Sequence, residues 1–187
     1  MIMCPSWYTQ KTFDPIRHLV DDKDVWTNGN KVDFTLIHNL IKSIQMRRKK
    51  QGQKAKRFLI LVDDMAGTPA IHGNRISPFA HLSVQTPHLD ASMIVITQQP
   101  TNVSPAFRDN AENIVVFPSE GELEIEWLKR CYQSLIMEEG MMKKIILKAW
   151  RGGKNNNDEW GQHFLFIQAL PRKHSRFWID FKKEIKI

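Results

Sequence analysis

The sequence predicts an α/β fold with a mainly parallel sheet and a C-terminal β-hairpin, and three patterns carry this prediction. Short apolar runs without polar alternation are typical of strands buried on both faces of a parallel sheet. These runs alternate with segments in which apolar residues recur at helical spacing. Two further apolar segments near the C-terminal end flank a basic turn, which is typical of a hairpin. Strands that alternate with helices favour a three-layer arrangement.

The N-terminal part of the chain contains one long predicted helix and four predicted strands. Asp33 is a suitable N-cap, and apolar residues follow it at helical spacing. They predict a helix from about Asp33 to Lys50 that Gly52 closes. The predicted strands are Met1–Cys4, Phe58–Val62, Ser92–Ile96 and Asn113–Phe117.

The C-terminal part contains two predicted helices followed by the hairpin. Ser119 and Glu122 have the spacing of a capping box, with Ser119 as N-cap. The helix that follows is predicted to end near Gly140 and to place four residues on one face, namely Leu123, Trp127, Cys131 and Leu135. A shorter helix is predicted over Met141 to Trp150, stopping at Gly152-Gly153. The hairpin is predicted from His163–Leu170, a basic turn over Pro171–Arg176, and Phe177–Phe181.

Length and composition exclude several classes of protein. The chain has 187 residues, 42% of them hydrophobic and 25% charged, which suits one domain spanning residues 1–187. No apolar run is long enough to cross a bilayer, and the first residues lack a signal-peptide pattern. Cys4 and Cys131 make neither a disulfide framework nor a zinc site. We therefore expect a soluble intracellular protein that is not secreted and has no membrane partner.

The positive charge is concentrated in one stretch of the sequence. The chain has 27 Lys and Arg against 20 Asp and Glu, a net charge of +7. A stretch without any acidic residue contains Lys42 and the seven candidate nucleic-acid contacts, which are Arg47, Arg48, Lys49, Lys50, Lys54, Lys56 and Arg57. Such a patch can follow a phosphate backbone in a salt-dependent way. The alternative is a solvated helix end and loop, because cations also stabilise the C-terminal end of a helix.

Two adjacent carboxylates follow the apolar strand at 58–62. Asp63 and Asp64 would stand at the carboxyl end of a parallel strand, where open α/β sheets bind ligands. A hydrophobic strand followed by two acids is the Walker B pattern, in which one acid holds Mg²⁺ and the other acts on the attacking water. The alternative is simple turn and cap chemistry, in which Asp is common.

Polar residues also follow the next predicted strand. Thr97 and Gln98 stand where strand 92–96 ends, so an amide there can reach a phosphate or a water bound beside the acids. Arg108 comes shortly before the strand at 113–117 and can stabilise phosphoryl charge. The alternatives are a strand end that hydrogen-bonds its own loop and, for Arg108, an ion pair with Asp109 or Glu112.

The order of these motifs resembles that of a known family. The matching blocks are Phe58-Leu59-Ile60-Leu61-Val62-Asp63-Asp64-Met65, Met93-Ile94-Val95-Ile96-Thr97-Gln98, Phe107-Arg108-Asp109-Asn110 and Ile114-Val115-Val116-Phe117. They are similar to the genome-packaging ATPases of large double-stranded DNA viruses and virophages, the poxvirus-type branch of the FtsK–HerA P-loop NTPases. The resemblance is firmest over residues 58 to about 135, and no single motif in it is specific.

This resemblance implies a fold, a function and a role for several residues. The fold would be a three-layer P-loop NTPase core of the ASCE class, and the function an ATP-driven motor that packages double-stranded viral DNA. Asp63 would hold Mg²⁺ through water, Asp64 would be the general base, Gln98 the sensor amide and Arg108 an arginine finger. The implied cofactors are ATP and Mg²⁺. The implied partners are double-stranded DNA, a homo-oligomeric ring and the capsid or portal vertex, and the implied location is the host cytoplasm or the virion.

The sequence departs from the family pattern at two places. Pro87-His88 stands where similar proteins often have Arg-His, and no G-x-x-x-x-G-K-[ST] phosphate loop occurs in the 187 residues. We therefore expect a truncated or split packaging ATPase that lacks the first strand and the Walker A loop. The alternative is a DNA-binding or assembly module, derived from such an ATPase, that does not hydrolyse nucleotide.

Two other kinds of site are compatible with some residues of the sequence. A metal-dependent nuclease could use Asp63 and Asp64, but further acids at suitable positions are absent from the sequence. A zinc site could use His72, His81 and His88, but these have no cysteine partners and no helical metal spacing.

Overall fold

The computed structural model divides the chain into two compact units, residues 1–110 and residues 111–187. The residues it describes are 1–65, 67–71, 76–119, 121–132, 136, 140–151, 163–169 and 176–185. Each unit has its own four-stranded sheet and its own apolar core. The expectation of a single domain over residues 1–187 stays a prediction.

The first unit contains a parallel sheet in the order β2-β1-β3-β4. Its strands are β1 (Ile2–Met3), β2 (Val25–Trp26), β3 (Phe58–Asp63) and β4 (Ala91–Ile96). Its helices are α1 (Asp14–Arg17), α2 (Phe34–Lys50), α3 (Pro78–Gln85) and α4 (Pro105–Asn110). Leu61 of β3 lies opposite both Ile2 and Ile94, which fixes the register across three strands. The predicted strands at Met1–Cys4, Phe58–Val62 and Ser92–Ile96 are confirmed.

The long helix α2 forms as predicted because its ends are capped locally. The Asp33 carboxylate accepts hydrogen bonds from the N–H groups of Thr35 at 2.9 Å and Leu36 at 3.1 Å. At the other end Gly52 adopts a φ of +67°, and its N–H donates to the Lys49 carbonyl at 3.1 Å. The predicted bounds and both predicted end signals are therefore confirmed.

The two faces of the parallel sheet are covered differently. On one face Ile60, Val62 and Met3 pack with apolar residues of α2 and α3 in the larger core of the unit. On the other face Ile2, Cys4, Trp7 and Phe13 form a smaller cluster over the β1 side. The expectation that the strands are buried on both faces is wrong for β4, because half-buried residues alternate along it with residues that stay exposed on this second face. Leu59 of β3 and Ile94 and Ile96 of β4 are about half exposed.

The second unit contains an antiparallel sheet in the order β5-β6-β7-β8. Its strands are β5 (Asn113–Val116), β6 (Leu165–Gln168), β7 (Arg176–Ile179) and β8 (Lys183–Glu184), and its helices are α5 (Glu122–Tyr132) and α6 (Met141–Trp150). The buried Trp150 indole N–H donates to the Val116 carbonyl at 3.2 Å and ties α6 to β5. The α/β fold with a parallel sheet and a C-terminal hairpin is thus confirmed. The strand predicted at 113–117 pairs with the hairpin.

The prediction for α5 is wrong about its apolar face, since Leu123 is 84% exposed whereas Leu128 and Tyr132 are buried. The helix begins at Glu122, and the Ser119 hydroxyl accepts from the Gly121 N–H at 3.2 Å, two residues further on, as an N-cap side chain does. The part of Glu122 in the capping box stays a prediction. The predictions for Leu135, for Gly152-Gly153 and for the basic turn over residues 171–175 lie outside the described residues.

Among the described residues, none of the helices combines the length and the apolar character that crossing a bilayer requires.

Candidate functional site

The candidate site is built around the two carboxylates at the carboxyl end of β3. Asp63 is the last residue of the strand and is 8% exposed, whereas Asp64 is exposed. Asp64 adopts a φ of +52°, a left-handed conformation that aspartate tolerates better than most residues. Its N–H donates to the Ile96 carbonyl at 3.3 Å, so the turn after β3 is fixed to the end of β4. One carboxylate is therefore held in the sheet edge and the other is open to solvent.

Cys4 is part of this site, although it was not predicted to be. Its thiol donates a hydrogen bond to Asp63 Oδ2 at 3.2 Å, and its side chain is fully buried. Burial raises the pKa of the Cys4 thiol, and the hydrogen bond to Asp63 adds to the increase. A protonated thiol thus donates to one oxygen of the Asp63 carboxylate and helps to fix its orientation.

The loop after β4 contains the polar residues predicted beside the acids. Gln98 is exposed, and the Thr97 hydroxyl accepts from the Gln99 N–H at 2.9 Å. Because Asp64 bonds to Ile96 at the end of β4, Gln98 stands two residues beyond that contact. Parallel pairing therefore brings the predicted sensor amide to the same edge of the sheet as the acidic pair.

Arg108 lies on α4 and is fixed to the loop that contains Gln98. One guanidinium nitrogen donates to the Pro100 carbonyl at 3.1 Å and lies 3.5 Å from the Thr101 carbonyl. The ion pairs with Asp109 or Glu112 stay a prediction. The Arg108 guanidinium is engaged by backbone oxygens of the loop that follows β4.

The acidic pair suits a hard cation that keeps much of its water. Mg²⁺ is commonly held by one or two carboxylates together with waters and substrate phosphates. Asp63 and Asp64 supply that number of carboxylates at a sheet edge. Within the described ranges no cluster of three or more His, Cys, Asp or Glu side chains is placed to form a fully protein-coordinated metal site. The donor set therefore fits a partly hydrated Mg²⁺ better than zinc. His72 lies outside the described residues, so the zinc trio of His72, His81 and His88 stays untested.

The seven predicted nucleic-acid contacts form a basic segment at the amino end of β3, opposite the end that contains the acids. They occupy the last turn of α2 and the loop that leads into β3, and all except the half-buried Arg48 are exposed. Arg48 donates to the Lys54 carbonyl at 2.7 Å, and Gln45 bonds both the N–H and the carbonyl of Lys56. These contacts fold the loop back onto α2. The basic segment precedes β3, and the acidic pair lies at the other end of that strand. The length of the strand, about 17 Å, therefore separates the two.

The contact between Cys4 and Asp63 has a measurable consequence for thiol reactivity. We expect Cys4 in the folded protein at about pH 8 to react with a maleimide at least ~10-fold more slowly than in denaturant. The thiolate is the reactive form, and burial and the raised pKa both oppose it. The rate is measured by mass spectrometry of the Cys4 peptide.

Two variants separate the carboxylate contact from general burial. Asp63→Asn removes the negative charge that disfavours the thiolate, so labelling of Cys4 should accelerate. Asp90→Asn, at an exposed aspartate before β4, should leave the rate unchanged. Equal rates in the folded and the denatured wild type would contradict the buried contact.

The comparisons with known proteins find similarity in structure. No family model and no curated protein matches the sequence. The DNA-packaging ATPase B204 from Sulfolobus turreted icosahedral virus matches with a TM-score of 0.57 and 13% identity, over 94% of this chain and 80% of that chain. The genome packaging NTPase B204 from Sulfolobus turreted icosahedral virus 2 in complex with AMP matches with a TM-score of 0.50 and 14% identity, over 87% of this chain and 66% of that chain.

A further structure of the virus 2 protein, in complex with ATP-gammaS, has a TM-score of 0.49 and 16% identity, over 82% of this chain. This chain spans only 64% of the length of that protein. At these identities the likeness is one of fold. The chain, with its parallel sheet and separate antiparallel hairpin sheet, is similar in fold to the viral DNA-packaging ATPase B204.

Proposed function

We propose that this chain is a subunit of an ATP-driven motor that packages double-stranded viral DNA into a capsid. The observation that carries the proposal is the acidic pair at the carboxyl end of β3, in a fold similar to that of a DNA-packaging ATPase. Complexes of a B204 protein with AMP and with ATP-gammaS support the choice of nucleotide. The carboxyl edge of the sheet, where open α/β folds bind ligands, is the expected position of the nucleotide.

In this proposal the two acids have different roles because their surroundings differ. Asp63 is buried and fixed by Cys4, which suits a group that holds Mg²⁺ through water. Asp64 is exposed and can accept a proton from a water molecule beside the γ-phosphate, which suits the general base. Gln98, on the neighbouring strand end, would orient that water. Mg²⁺, when bound, would neutralise phosphate charge at this edge.

Arg108 would act as the arginine finger of its own or of a neighbouring subunit. Its guanidinium is bonded to backbone carbonyls of the loop after β4, so it must exchange these oxygens for phosphate oxygens during the reaction. That exchange would couple the position of the Gln98 loop to the nucleotide. In a ring of identical subunits, placed at a capsid or portal vertex in the host cytoplasm or the virion, the arginine would reach the nucleotide of the neighbouring subunit.

An ATPase site of this type also needs a backbone cradle for phosphate and a lysine that reaches it. The G-x-x-x-x-G-K-[ST] pattern that supplies them is absent from the 187 residues. The proposal therefore includes a phosphate-binding segment supplied from outside these residues. The decisive assay uses the longest native reading frame that contains residues 1–187 and measures Mg²⁺-dependent ATP hydrolysis with and without double-stranded DNA.

The assay distinguishes the motor from the second candidate, a DNA-binding or assembly module that does not hydrolyse nucleotide. DNA-stimulated hydrolysis supports the motor. DNA binding without hydrolysis supports the module. The basic segment favours this second candidate, because it lies at the end of β3 away from the acids and its contact with DNA would not need them. Cleavage of the DNA itself would support the metal-dependent nuclease. A protein that neither hydrolyses ATP nor binds DNA would contradict both the motor and a DNA-binding module, and would leave an assembly module.

The basic segment is proposed as the DNA contact, and its charge can be tested by substitution. The double change Lys54→Gln/Arg57→Gln should weaken DNA binding and reduce the slope of log affinity against log salt by about 2, because two phosphate contacts are lost. Arg48 is spared because it holds the loop. The control Lys11→Gln/Lys31→Gln removes the same charge from exposed positions elsewhere. Equal losses in both pairs would show that only net charge matters and would contradict a defined contact.

A further inference from the structure

A cleft between α2 and α3 contains an unusual concentration of basic side chains. Its volume is about 420 Å³. One wall is α2, which contributes His38, Lys42 and Lys49 at positions spaced by four and seven residues, so that they form one stripe along the helix. The other wall contributes His81 from α3 and His88 from the short 3₁₀ segment that follows it.

Two apolar residues and an amide side chain also line the cleft. Met46 and Leu89 line it beside the basic groups. The Gln45 side chain donates to the carbonyls of Leu89 and Lys56, each at 2.7 Å. One amide therefore fixes the end of the cleft to the loop of the basic segment. The stripe on α2 and the basic segment consequently form one continuous surface, since Lys49 belongs to both.

The charges in the cleft favour an anion over a metal ion or a structural role. No carboxylate is among the residues that line it, all of which belong to the described part of the chain. The His38 and His81 rings are edge to face with centroids 5.0 Å apart, so two imidazoles lie side by side in the cleft. Lys42 and Lys49 would repel a metal cation. His81 and His88 are exposed, so they are not core residues.

We propose that this cleft binds backbone phosphates of double-stranded DNA and that its three histidines make the binding stronger as the pH falls. This inference rests on the proposed function in taking DNA as the ligand. An imidazole is positively charged only when it is protonated, so lowering the pH adds positive charge where the phosphate binds. The groups that face the imidazoles are Lys42 and Lys49 from α2 and Gln85 from α3. Asp90, the carboxylate nearest to His88 along the chain, does not line the cleft.

The test compares DNA affinity at about pH 6 and about pH 8 in the full chain, using a fluorescent duplex at two salt concentrations. We expect the wild type to bind about 10-fold more tightly at the lower pH, with a salt slope steeper by up to about 3. The triple variant His38→Gln/His81→Gln/His88→Gln should lose this pH dependence. His18→Gln, at an exposed histidine outside the cleft, should retain it.

Further measurements distinguish a failure of this inference from misfolding and from a failure of the proposed function. Lys42→Gln should weaken DNA binding at both pH values without changing their ratio, and it tests the cleft even if the triple variant misfolds. Inorganic phosphate and ATP at matched ionic strength should displace DNA no better than chloride does; efficient displacement would show a site for a free phosphate instead. A full pH dependence in a folded triple variant would overturn the inference while DNA binding stands. If the wild type binds no DNA at both pH values, the proposal that this protein contacts DNA is contradicted as well.

Discussion

The Asp64→Asn change is expected to lower ATP turnover by about 10²- to 10⁴-fold, the usual contribution of a general base. Asp64 is exposed at the carboxyl edge of the sheet, and an amide there keeps the shape of the side chain but cannot accept the proton of the attacking water. The left-handed backbone at this position is also tolerated by asparagine, so the fold should be unaffected. The effect is measured as phosphate release by the protein that the longest native reading frame containing residues 1–187 encodes.

A matched control exists within the same unit of the chain. Asp90 is also exposed and also has a left-handed backbone, with a φ of +50°. It stands just before β4, at the end of the strands opposite to Asp64. Asp90→Asn therefore removes the same charge with the same backbone conformation and should leave turnover unchanged. Nucleotide binding by Asp64→Asn should persist, since the proposed role of Asp64 is in chemistry and not in binding. Unchanged turnover in Asp64→Asn would contradict its assignment as the base and would leave Asp63 as the only candidate acid.

The features that were predictable from sequence are those that neighbouring residues determine. Helix α2 follows from a capping aspartate, helical spacing and a closing glycine, all within a span of twenty residues. The acidic pair follows from a continuous apolar run that ends in two carboxylates. Both signals are local, so no knowledge of the rest of the fold is needed to recognise them.

The features that were missed depend on pairing between distant segments. Cys4 meets Asp63 only because β1 lies beside β3 in parallel register, and neither the order of the strands nor the register can be read from either segment alone. Similarly, β5 pairs with β6, about fifty residues later, so its apolar run does not reveal that it belongs to an antiparallel sheet. The exposed face of β4 is likewise a property of what covers the sheet and not of the strand.

The histidines show the same limitation at the level of a site. The sequence grouped His81 and His88 with His72 as a possible metal trio, and His72 lies outside the described residues. The structure places His81 beside His38, which belongs to a different helix. Helical spacing on α2 and on the α3 segment could each be recognised separately. The cleft arises only when the two helices pack, and its chemistry follows from the lysines that α2 brings to the same wall.

The Leu82→Ala change is expected to reduce the free energy of unfolding of the first unit by about 2–5 kcal/mol. Leu82 is fully buried in α3, in the core that α2 and α3 form against the sheet. Removing its branched end leaves a cavity, because rigid neighbours such as Phe79 and Ile60 cannot move to fill it. Denaturant unfolding followed by circular dichroism measures the difference.

Leu36→Ala provides the matched control on α2. Leu36 is 63% exposed, so its truncation removes little buried area, and alanine has the higher helix propensity. We expect a change within about 0.5 kcal/mol of zero. Because α3 forms one wall of the basic cleft, a folded Leu82→Ala protein should also bind DNA with a weaker pH dependence than the wild type, whereas Leu36→Ala should not. Equal destabilisation by the two variants would contradict the arrangement of α2 and α3 on which both the core and the cleft depend.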